Sequence, residues 1–199
     1  MRKLPSQQRA QSTIEAIFQA TARIVENEGE AALNTNRVAR DAGFSIGTLY
    51  RYFPSKEAIL LAMIGRERRR VLDQLAAMMR RAVQERRDPQ AVVRDLVHIL
   101  VESFGSGPKY RRALIRLAWR MDHHDNVTQA LREAVERNSV ALSQLDDPSV
   151  RQPTPAMMFA ATRGVMGAIR SASLEDSPLL GTPEFEDELV RMVWGVLRA

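Results

Sequence analysis

Residues 34–57 read NTNRVARDAGFSIGTLYRYFPSKE, and this stretch decides the fold. It predicts two short helices joined by a tight turn at Gly43, which is the spacing of a helix-turn-helix motif. The first helix covers residues 35–43 with Thr35 as its N-cap. The second covers residues 45–53 and meets Pro54, which disfavours further helix.

Each of the two helices has one apolar side that can face a core. Val38, Ala39 and Ala42 form that side in the first helix, and Leu49 and Phe53, four residues apart, form it in the second. The polar side chains of the second helix then point outward: Thr48, Tyr50, Arg51 and Tyr52. Because the second helix begins with small residues, its N-terminal end can approach base edges in the major groove of DNA.

The rest of the chain also predicts helices, about nine in all, since no alternating β-branched run is bounded by hairpin turns. The first helix begins at a capping box of Ser12 and Glu15 and ends at Gly29. Its stripe contains Ile14, Ile17, Phe18, Thr21, Ile24 and Val25. A long helix covers residues 55–85, and further helices cover residues 88–104, 110–121, 126–145, 154–173 and 182–199.

Composition and charge exclude several classes of functional site. The 199 residues are 45% hydrophobic and include no cysteine, which excludes disulfides, thiol catalysis and cysteine-bound metals. The first 70 residues hold 12 basic and 7 acidic side chains, whereas the remainder holds 17 of each. This split indicates either a polyanion partner at the N-terminal end or a solvated charged face. With no long apolar run and no apolar segment behind the basic N-terminus, we expect a cytoplasmic chain without signal peptide or membrane span.

The segment of residues 13–61 resembles the DNA-binding domain of the TetR/AcrR family of bacterial transcriptional regulators. The match consists of the amphipathic first helix followed by VARDAG at 38–43, SIGTLYRYF at 45–53 and SKEAIL at 55–60. The resemblance implies an all-α protein with an N-terminal three-helix DNA-binding domain at residues 10–57. A linker helix from about residue 55 leads into a larger effector-binding and dimerisation domain at residues 58–199.

The same resemblance implies a function and a set of DNA contacts. The chain is expected to be a homodimer that binds a palindromic operator in double-stranded DNA, without enzymatic activity or cofactor. It is expected to repress transcription until a small, mostly apolar ligand releases it, although activation in place of repression stays open. The DNA-binding positions implied by the family are Thr35, Asn36, Ser45, Ile46, Gly47, Thr48, Tyr50, Tyr52 and Lys56. Asn36 is shorter than the basic residues that some relatives carry there.

The C-terminal half supplies candidates for the effector pocket and the dimer interface. Methionine and aromatic side chains at helical spacing suit either a core or an adaptable pocket. The pocket candidates are Leu100, Phe104, Trp119, Met121, Met158, Arg163 and Met166. The interface candidates are Phe159, Ile169, Leu189, Val193 and Val196. Arg163 has two possible roles, a salt bridge across the dimer or an ion pair with an anionic ligand in the cavity.

Four other features allow competing interpretations. Residues 43–47, GFSIG, match the nucleophile elbow of serine hydrolases, but the elbow needs a preceding strand and residues 37–42 favour a helix. Residues 122–125, DHHD, offer metal-ligand chemistry, although a solvated turn fits better because consecutive helical residues point apart. His98 is expected to be a partly buried, hydrogen-bonded histidine. The basic run at 66–70 is either a solvated or interdomain face or an extension of the DNA surface.

Two further questions concern the N-terminus and the rival functions. Arg2, Lys3 and Arg9 form a basic segment that, as a disordered arm ahead of the first helix, can reach an adjacent groove of DNA. The rival function classes are a helical module that binds a ligand or protein without any DNA, and an enzyme. The charge split and the motif at 45–56 disfavour the first, and sparse histidine with no cofactor fingerprint disfavours the second.

Overall fold

The computed structural model describes residues 6–105, 108–120, 135–136, 139–140, 142–143 and 147–199. Within these ranges the protein is all-helical, apart from a single isolated β-bridge between Val150 and Arg198. The helices are α1 (Ser6–Glu28), α2 (Thr35–Asp41), α3 (Ile46–Tyr50), α4 (Lys56–Gln84), α5 (Pro89–Phe104), α6 (Lys109–Arg120), α7 (Pro155–Leu174) and α8 (Pro183–Leu197). The all-α prediction is confirmed. Most of the helix predicted at 126–145 lies outside the described residues, although those described there are helical.

Three helices begin as predicted, at a capping residue followed by proline: Asp88-Pro89 for α5, Thr154-Pro155 for α7 and Thr182-Pro183 for α8. In each, a side-chain oxygen accepts a hydrogen bond from a backbone N–H in the first turn, as from Ala91 to Asp88 at 2.8 Å. Proline suits the next position because its missing N–H would have no partner inside the helix.

Two predicted helix starts are wrong. The first helix begins at Ser6, and the Ser12 hydroxyl donates to the Arg9 carbonyl at 2.9 Å inside the helix. Residues 6–12 contain no glycine or proline to stop the helix there, so Arg9 lies in α1 and not in a disordered arm. At α2 the cap is Asn34, whose Oδ1 accepts from the Arg37 N–H at 2.9 Å, and Thr35 is the first helical residue.

The chain divides into two compact units, the first formed by Met1–Glu67 and Pro108–Ala118. Its core confirms the stripe predicted on α1 and the apolar sides of α2 and α3; the completely buried members include Ile17, Val38, Leu49 and Ile59. Thr21 is also buried, and its hydroxyl donates to the Ile17 carbonyl at 2.8 Å. The sequence divides the chain at residue 57, whereas this unit extends to Glu67 and also contains Leu114 of α6, which is buried in the same core.

The second unit comprises Arg68–Gly107 and Trp119–Ala199. Its described interior is built from α5, α7 and α8, with Val97, Val101, Val165 and Ile169 almost fully buried. The hydrogen bond predicted for His98 is present, since its Nδ1 lies 3.0 Å from Glu186 Oε2 on α8. The predicted partial burial is wrong, because 60% of the side chain is exposed. Among the described residues no helix combines the length and the hydropathy of a membrane span.

Candidate nucleic-acid interface

A glycine turn sets the angle between α2 and α3. Gly43 has a φ of +77°, a left-handed conformation that glycine adopts without steric cost. Its N–H donates to the Arg40 carbonyl at 3.0 Å, and the Phe44 N–H donates to the Ala39 carbonyl at 2.9 Å. These bonds close the end of α2 and turn the chain, so the predicted helix-turn-helix is present. A helix and not a strand precedes Ser45, which excludes the hydrolase elbow.

Helix α3, the second helix of the motif, is held at its start by its own polar residues. Ser45 is the N-cap: its Oγ accepts from the Thr48 N–H at 3.2 Å and lies 3.0 Å from the Thr48 hydroxyl. Two of the predicted DNA-binding residues therefore also order the helix. The helix ends at Tyr50, with Arg51 as its C-cap, and not at residue 53 as predicted. Pro54 accounts only for the non-helical conformation of Phe53, the residue directly before it.

The two faces of α3 differ sharply in exposure. Leu49 is completely buried. Phe53, which follows the helix, is also buried, and the centre of its ring lies 5.7 Å from the centre of the Phe18 ring on α1. On the opposite side Gly47 and Tyr50 are exposed, Tyr50 by 50%. Ile46 is half-buried and packs against the core, which leaves only part of its side chain for a partner.

Helices α2 and α3 meet on the exposed side through two hydroxyl groups. The Thr35 Oγ1 and the Tyr50 hydroxyl oxygen lie 3.2 Å apart. Both residues are predicted DNA contacts, and the structure brings them together as one polar pair. Asn36, the next residue of α2, is exposed beside them in the chain.

The remaining predicted DNA contacts lie between α3 and the start of α4. Tyr52 packs partly against the core, and the Arg51 guanidinium lies 5.9 Å from the centre of its ring. Ser55 precedes α4 and caps its start, because its Oγ accepts from the Ala58 N–H at 3.2 Å. Lys56, the first residue of α4, is half-buried.

Arginine side chains brace α2 against α1. Arg37 Nη1 donates to Glu28 Oε2 at 2.7 Å, and its Nη2 donates to the other carboxylate oxygen. Arg23 donates to the Asp41 carbonyl at 3.1 Å, at the end of α2. The Arg37 guanidinium also holds the pKa of Glu28 below its usual range. This brace was not predicted from the sequence, because Arg37 and Glu28 lie nine residues apart on different helices.

The basic run at 66–70 contributes to the packing of the first unit. Arg66 forms a bidentate ion pair with Glu15 of α1, and its guanidinium lies 5.5 Å from the centre of the Phe18 ring. Glu67 pairs with Arg111 of α6 at 3.2 Å, with both side chains largely buried. Arg66 is therefore occupied inside its own unit, which disfavours an extension of the DNA surface at the start of the run.

A carboxylate of α1 also caps α6. The backbone N–H groups of Lys109 and Tyr110 both donate to the Glu26 carboxylate, the first at 3.1 Å. The first backbone N–H groups of any helix have no partner within it, so one side chain from 83 residues earlier satisfies two of them. No sequence pattern pointed to this contact.

The structure concentrates the positive charge more strongly than the sequence analysis indicated. The ranges of the first unit contain 13 basic and 7 acidic residues, because Lys109, Arg111, Arg112 and Arg116 of α6 join it. The ranges of the second unit contain 16 basic and 17 acidic residues. The unit that carries the helix-turn-helix has a formal net charge of +6, and the other unit has −1.

The pocket candidates of the second half fall into three environments. Leu100, Trp119 and Met158 are buried, Phe104 and Met166 are half-buried, and Arg163 is exposed. Met121 and the acidic and histidine cluster at 122–125 lie outside the described residues. A cavity of about 230 Å³ lies elsewhere and is lined by Leu142, Ser143, Asp147, Pro148, Val150, Arg151, Gln152 and Pro153. In the part of the chain described here, no three metal-ligating side chains come together.

The interface candidates are also divided. Ile169, Leu189 and Val193 are buried within their own unit, and Val196 is half-buried. Phe159 is 62% exposed, and the Arg163 guanidinium lies 5.5 Å from the centre of its ring. Met192 of α8 is 39% exposed. The outward sides of α7 and α8 therefore present an aromatic, a cationic and a thioether side chain.

Residues 17–63 match the model of the family described as bacterial regulatory proteins, tetR family. The HTH-type transcriptional regulator EthR of Mycolicibacterium smegmatis is 38% identical over 50% of this chain and 45% of its own length. The HTH-type transcriptional repressor KstR of the same organism is 44% identical over 28% of this chain and 27% of its own. The chain thus matches less than half the length of these curated relatives. Both of these relatives are HTH-type regulators of transcription.

A solved structure extends the similarity in fold to nearly the whole chain. SmeT, the repressor of the Stenotrophomonas maltophilia multidrug efflux pump SmeDEF, aligns with a TM-score of 0.68. The alignment covers 94% of this chain and 93% of SmeT at 19% identity. SmeT has also been solved as a complex with triclosan. The helical second unit therefore has the same kind of fold as the corresponding part of a known repressor.

Proposed function

Because the chain belongs to the tetR family of bacterial regulatory proteins, we propose that it represses transcription as a homodimer bound to a palindromic operator. A small, mostly apolar ligand bound by the second unit releases it. The observation that carries the proposal is the exposed Thr35–Tyr50 hydroxyl pair at the junction of α2 and α3, within a unit of net charge +6.

The DNA contacts divide into two kinds. Ser45, Gly47 and Thr48 lie at the start of α3, the part of a recognition helix that reaches base edges in the major groove. Thr35, Tyr50, Tyr52 and Lys56 carry hydroxyl or ammonium donors suited to phosphate oxygens, and Asn36 lies beside the first of these. Phosphate contacts position the protein, whereas base contacts specify the sequence.

Two copies are needed because one short helix reads only a few base pairs. Recognition helices of a two-fold dimer read half-sites about 34–36 Å apart, one turn of DNA. We propose that the outward sides of α7 and α8 form the dimer interface through Phe159, Arg163 and Met192. Of the other candidates, Ile169, Leu189 and Val193 support that surface from inside the unit, and Val196 is half-buried. The exposure of Arg163 favours its dimer role over its cavity role.

The ligand proposal is based on the apolar side chains of the second unit. Leu100, Trp119 and Met158 are apolar and buried, and the apolar side chains of Phe104 and Met166 are half-buried. The triclosan complex of SmeT shows that a protein of this fold holds an apolar aromatic compound. The ligand must bind better to the form of the dimer whose recognition helices no longer match the operator, because equal affinity for both forms releases nothing.

The test measures DNA affinity against salt concentration for the wild type, Lys56→Ala and Lys109→Ala. Lys109 is the matched control: an exposed lysine of the same unit, on α6. Removing one phosphate contact weakens binding to all duplexes and reduces the salt slope by about one. We expect this for Lys56→Ala and not for the control. A wild-type protein with no salt-dependent DNA affinity at low ionic strength would be a helical ligand- or partner-binding module, and the proposal would be wrong.

A further inference from the structure

The cavity of the second unit carries an acidic and a basic side chain that do not pair with each other. Asp147 and Arg151 both line this cavity. Neither side chain has an ion-pair partner in the part of the chain that the structure describes. Ligand sites combine apolar walls with a few polar groups that fix the orientation of the ligand. A carboxylate and a guanidinium that both remain available can serve as those groups.

Asp147 is held in place and keeps one oxygen for a ligand. Its Oδ1 accepts from the Ser149 hydroxyl at 2.6 Å and from the Ser149 N–H at 2.8 Å. These hydrogen bonds hold the pKa of Asp147 below its usual range, so the carboxylate is charged at neutral pH. The other oxygen, Oδ2, accepts no hydrogen bond from a described residue, and a cation can bind there.

The β-bridge after α8 fixes the basic side of the cavity. The Arg151 N–H donates to the Leu197 carbonyl at 2.8 Å, next to the opposed pair of Val150 and Arg198. Opposed residues of an antiparallel pair have neighbouring side chains, so Arg198 lies beside Val150, which lines the cavity. Arg198 and Arg151 are both exposed, and both lack an ion-pair partner among the described residues. Two guanidinium groups are therefore available near one end of the cavity for an anion.

The size and the apolar walls of the cavity limit the ligand. The apolar lining consists of Leu142, Pro148, Val150 and Pro153. The volume of about 230 Å³ lies below the range of roughly 300–1,000 Å³ that is usual for drug-sized ligands. It corresponds to about seven or eight water molecules, at roughly 30 Å³ each. The cavity therefore fits a small molecule with one compact apolar group.

We propose that this cavity binds an apolar α-amino acid, with its carboxylate on Arg151 and its ammonium group on Asp147 Oδ2. Guanidinium and carboxylate groups form short, charge-assisted hydrogen bonds, often in pairs. The side chain of the amino acid packs against the apolar lining. The inference goes beyond the proposed function and does not depend on it. The apolar ligand of that proposal is assigned to other residues, Leu100, Trp119 and Met158, which do not line this cavity.

The first experiment compares leucine with two analogues that each lack one charge, using the full-length chain. The analogue 4-methylpentanoate lacks the ammonium group, and 3-methylbutylamine lacks the carboxylate. Ligand-observed NMR gives their dissociation constants. We expect leucine to bind with a Kd of about 0.1–5 mM, in keeping with its small number of atoms. Each analogue should bind at least about fivefold more weakly, because it loses one charge-assisted contact.

Two variants assign each charge of the ligand to its residue. Arg151→Gln should weaken leucine binding by about tenfold or more, the effect of losing hydrogen bonds to a charged group. The same variant should leave 3-methylbutylamine unaffected, since that analogue has no carboxylate. Asp147→Asn should weaken leucine similarly and leave 4-methylpentanoate unaffected. Arg191→Gln is the matched control, because Arg191 is an exposed arginine of the same unit that does not line the cavity.

A third variant tests the location of the site without changing a charge. Ser143 is exposed and lines the cavity, so Ser143→Phe fills the cavity with little effect on folding. We expect this variant to lose leucine binding. A wild type that does not bind leucine overturns the inference, as does leucine binding that is unchanged in Arg151→Gln or in Ser143→Phe. If 4-methylpentanoate binds the wild type as tightly as leucine, the amino-acid assignment is wrong. None of these measurements involves DNA, so their failure leaves the proposed function untouched.

Discussion

Glu26 connects α1 to α6, and replacing it with alanine tests whether α6 belongs to the first unit in solution. The Glu26 carboxylate accepts from the backbone N–H groups of Lys109 and Tyr110, in the first turn of α6. Loss of a side-chain cap costs about 0.5–2 kcal/mol. Loss of a carboxylate near a helix N-terminus costs a further 0.3–1 kcal/mol or so at an exposed site. Because water can reach this helix end, we expect about 1–2 kcal/mol for Glu26→Ala.

Two measurements test this expectation. For a chain of this size each kcal/mol lowers the unfolding midpoint by about 2–4 °C, so Glu26→Ala should lower it by about 2–8 °C. Glu26→Gln keeps an acceptor without the charge and should lose less. Hydrogen exchange gives the local result, because the Tyr110 amide should exchange faster in Glu26→Ala than in the wild type. Asn27→Ala, an exposed neighbour in α1, is the matched control.

The contact would be refuted by either of two results. One is an unfolding midpoint of Glu26→Ala equal to that of Asn27→Ala. The other is a Tyr110 amide that exchanges at the wild-type rate in Glu26→Ala. Both would mean that α6 is held by its apolar side alone, through residues such as Leu114.

Two further predictions concern the second unit. The hydrogen bond to Glu186 raises the pKa of His98 above its ordinary value of 6.5. The protonated imidazolium therefore stabilises the folded state fully below pH 6.5, and this stabilisation is lost as the pH rises through the raised pKa. Because His98 is 60% exposed, we expect the ion pair to add only about 0.2–1 kcal/mol to the free energy of unfolding. If the free energy of unfolding depends on pH in His98→Gln as it does in the wild type, this prediction is wrong. Phe159→Asp should shift a dimer towards monomer in sedimentation, since it buries an unpaired charge, whereas Leu61→Asp on the exposed side of α4 should not. A fully dimeric Phe159→Asp would place the interface elsewhere.

The sequence by itself determined the features that depend on neighbours along the chain. Helix starts at Asp88, Thr154 and Thr182 could be predicted because a cap acts on a backbone N–H three residues later. The turn at Gly43 depends on the conformation of a single residue. The buried side of α3 follows from the spacing of Leu49 and Phe53. Asn34 and Thr35 are adjacent, and either side chain can cap a helix. The sequence therefore did not distinguish them, and the predicted cap Thr35 is wrong because Asn34 caps α2.

Only the tertiary structure decided which distant residues meet. The pairing of Glu26 with the start of α6, the Arg37–Glu28 brace and the Thr35–Tyr50 hydroxyl pair join residues between 9 and 84 positions apart. The exposure of Phe159 beside the burial of Ile169, both on α7, was likewise not predictable, because an apolar residue on a helix suits a core and an interface equally. Helix propensity and capping act within one turn of the chain. Burial depends on how the helices pack, and that arrangement is a property of the whole fold.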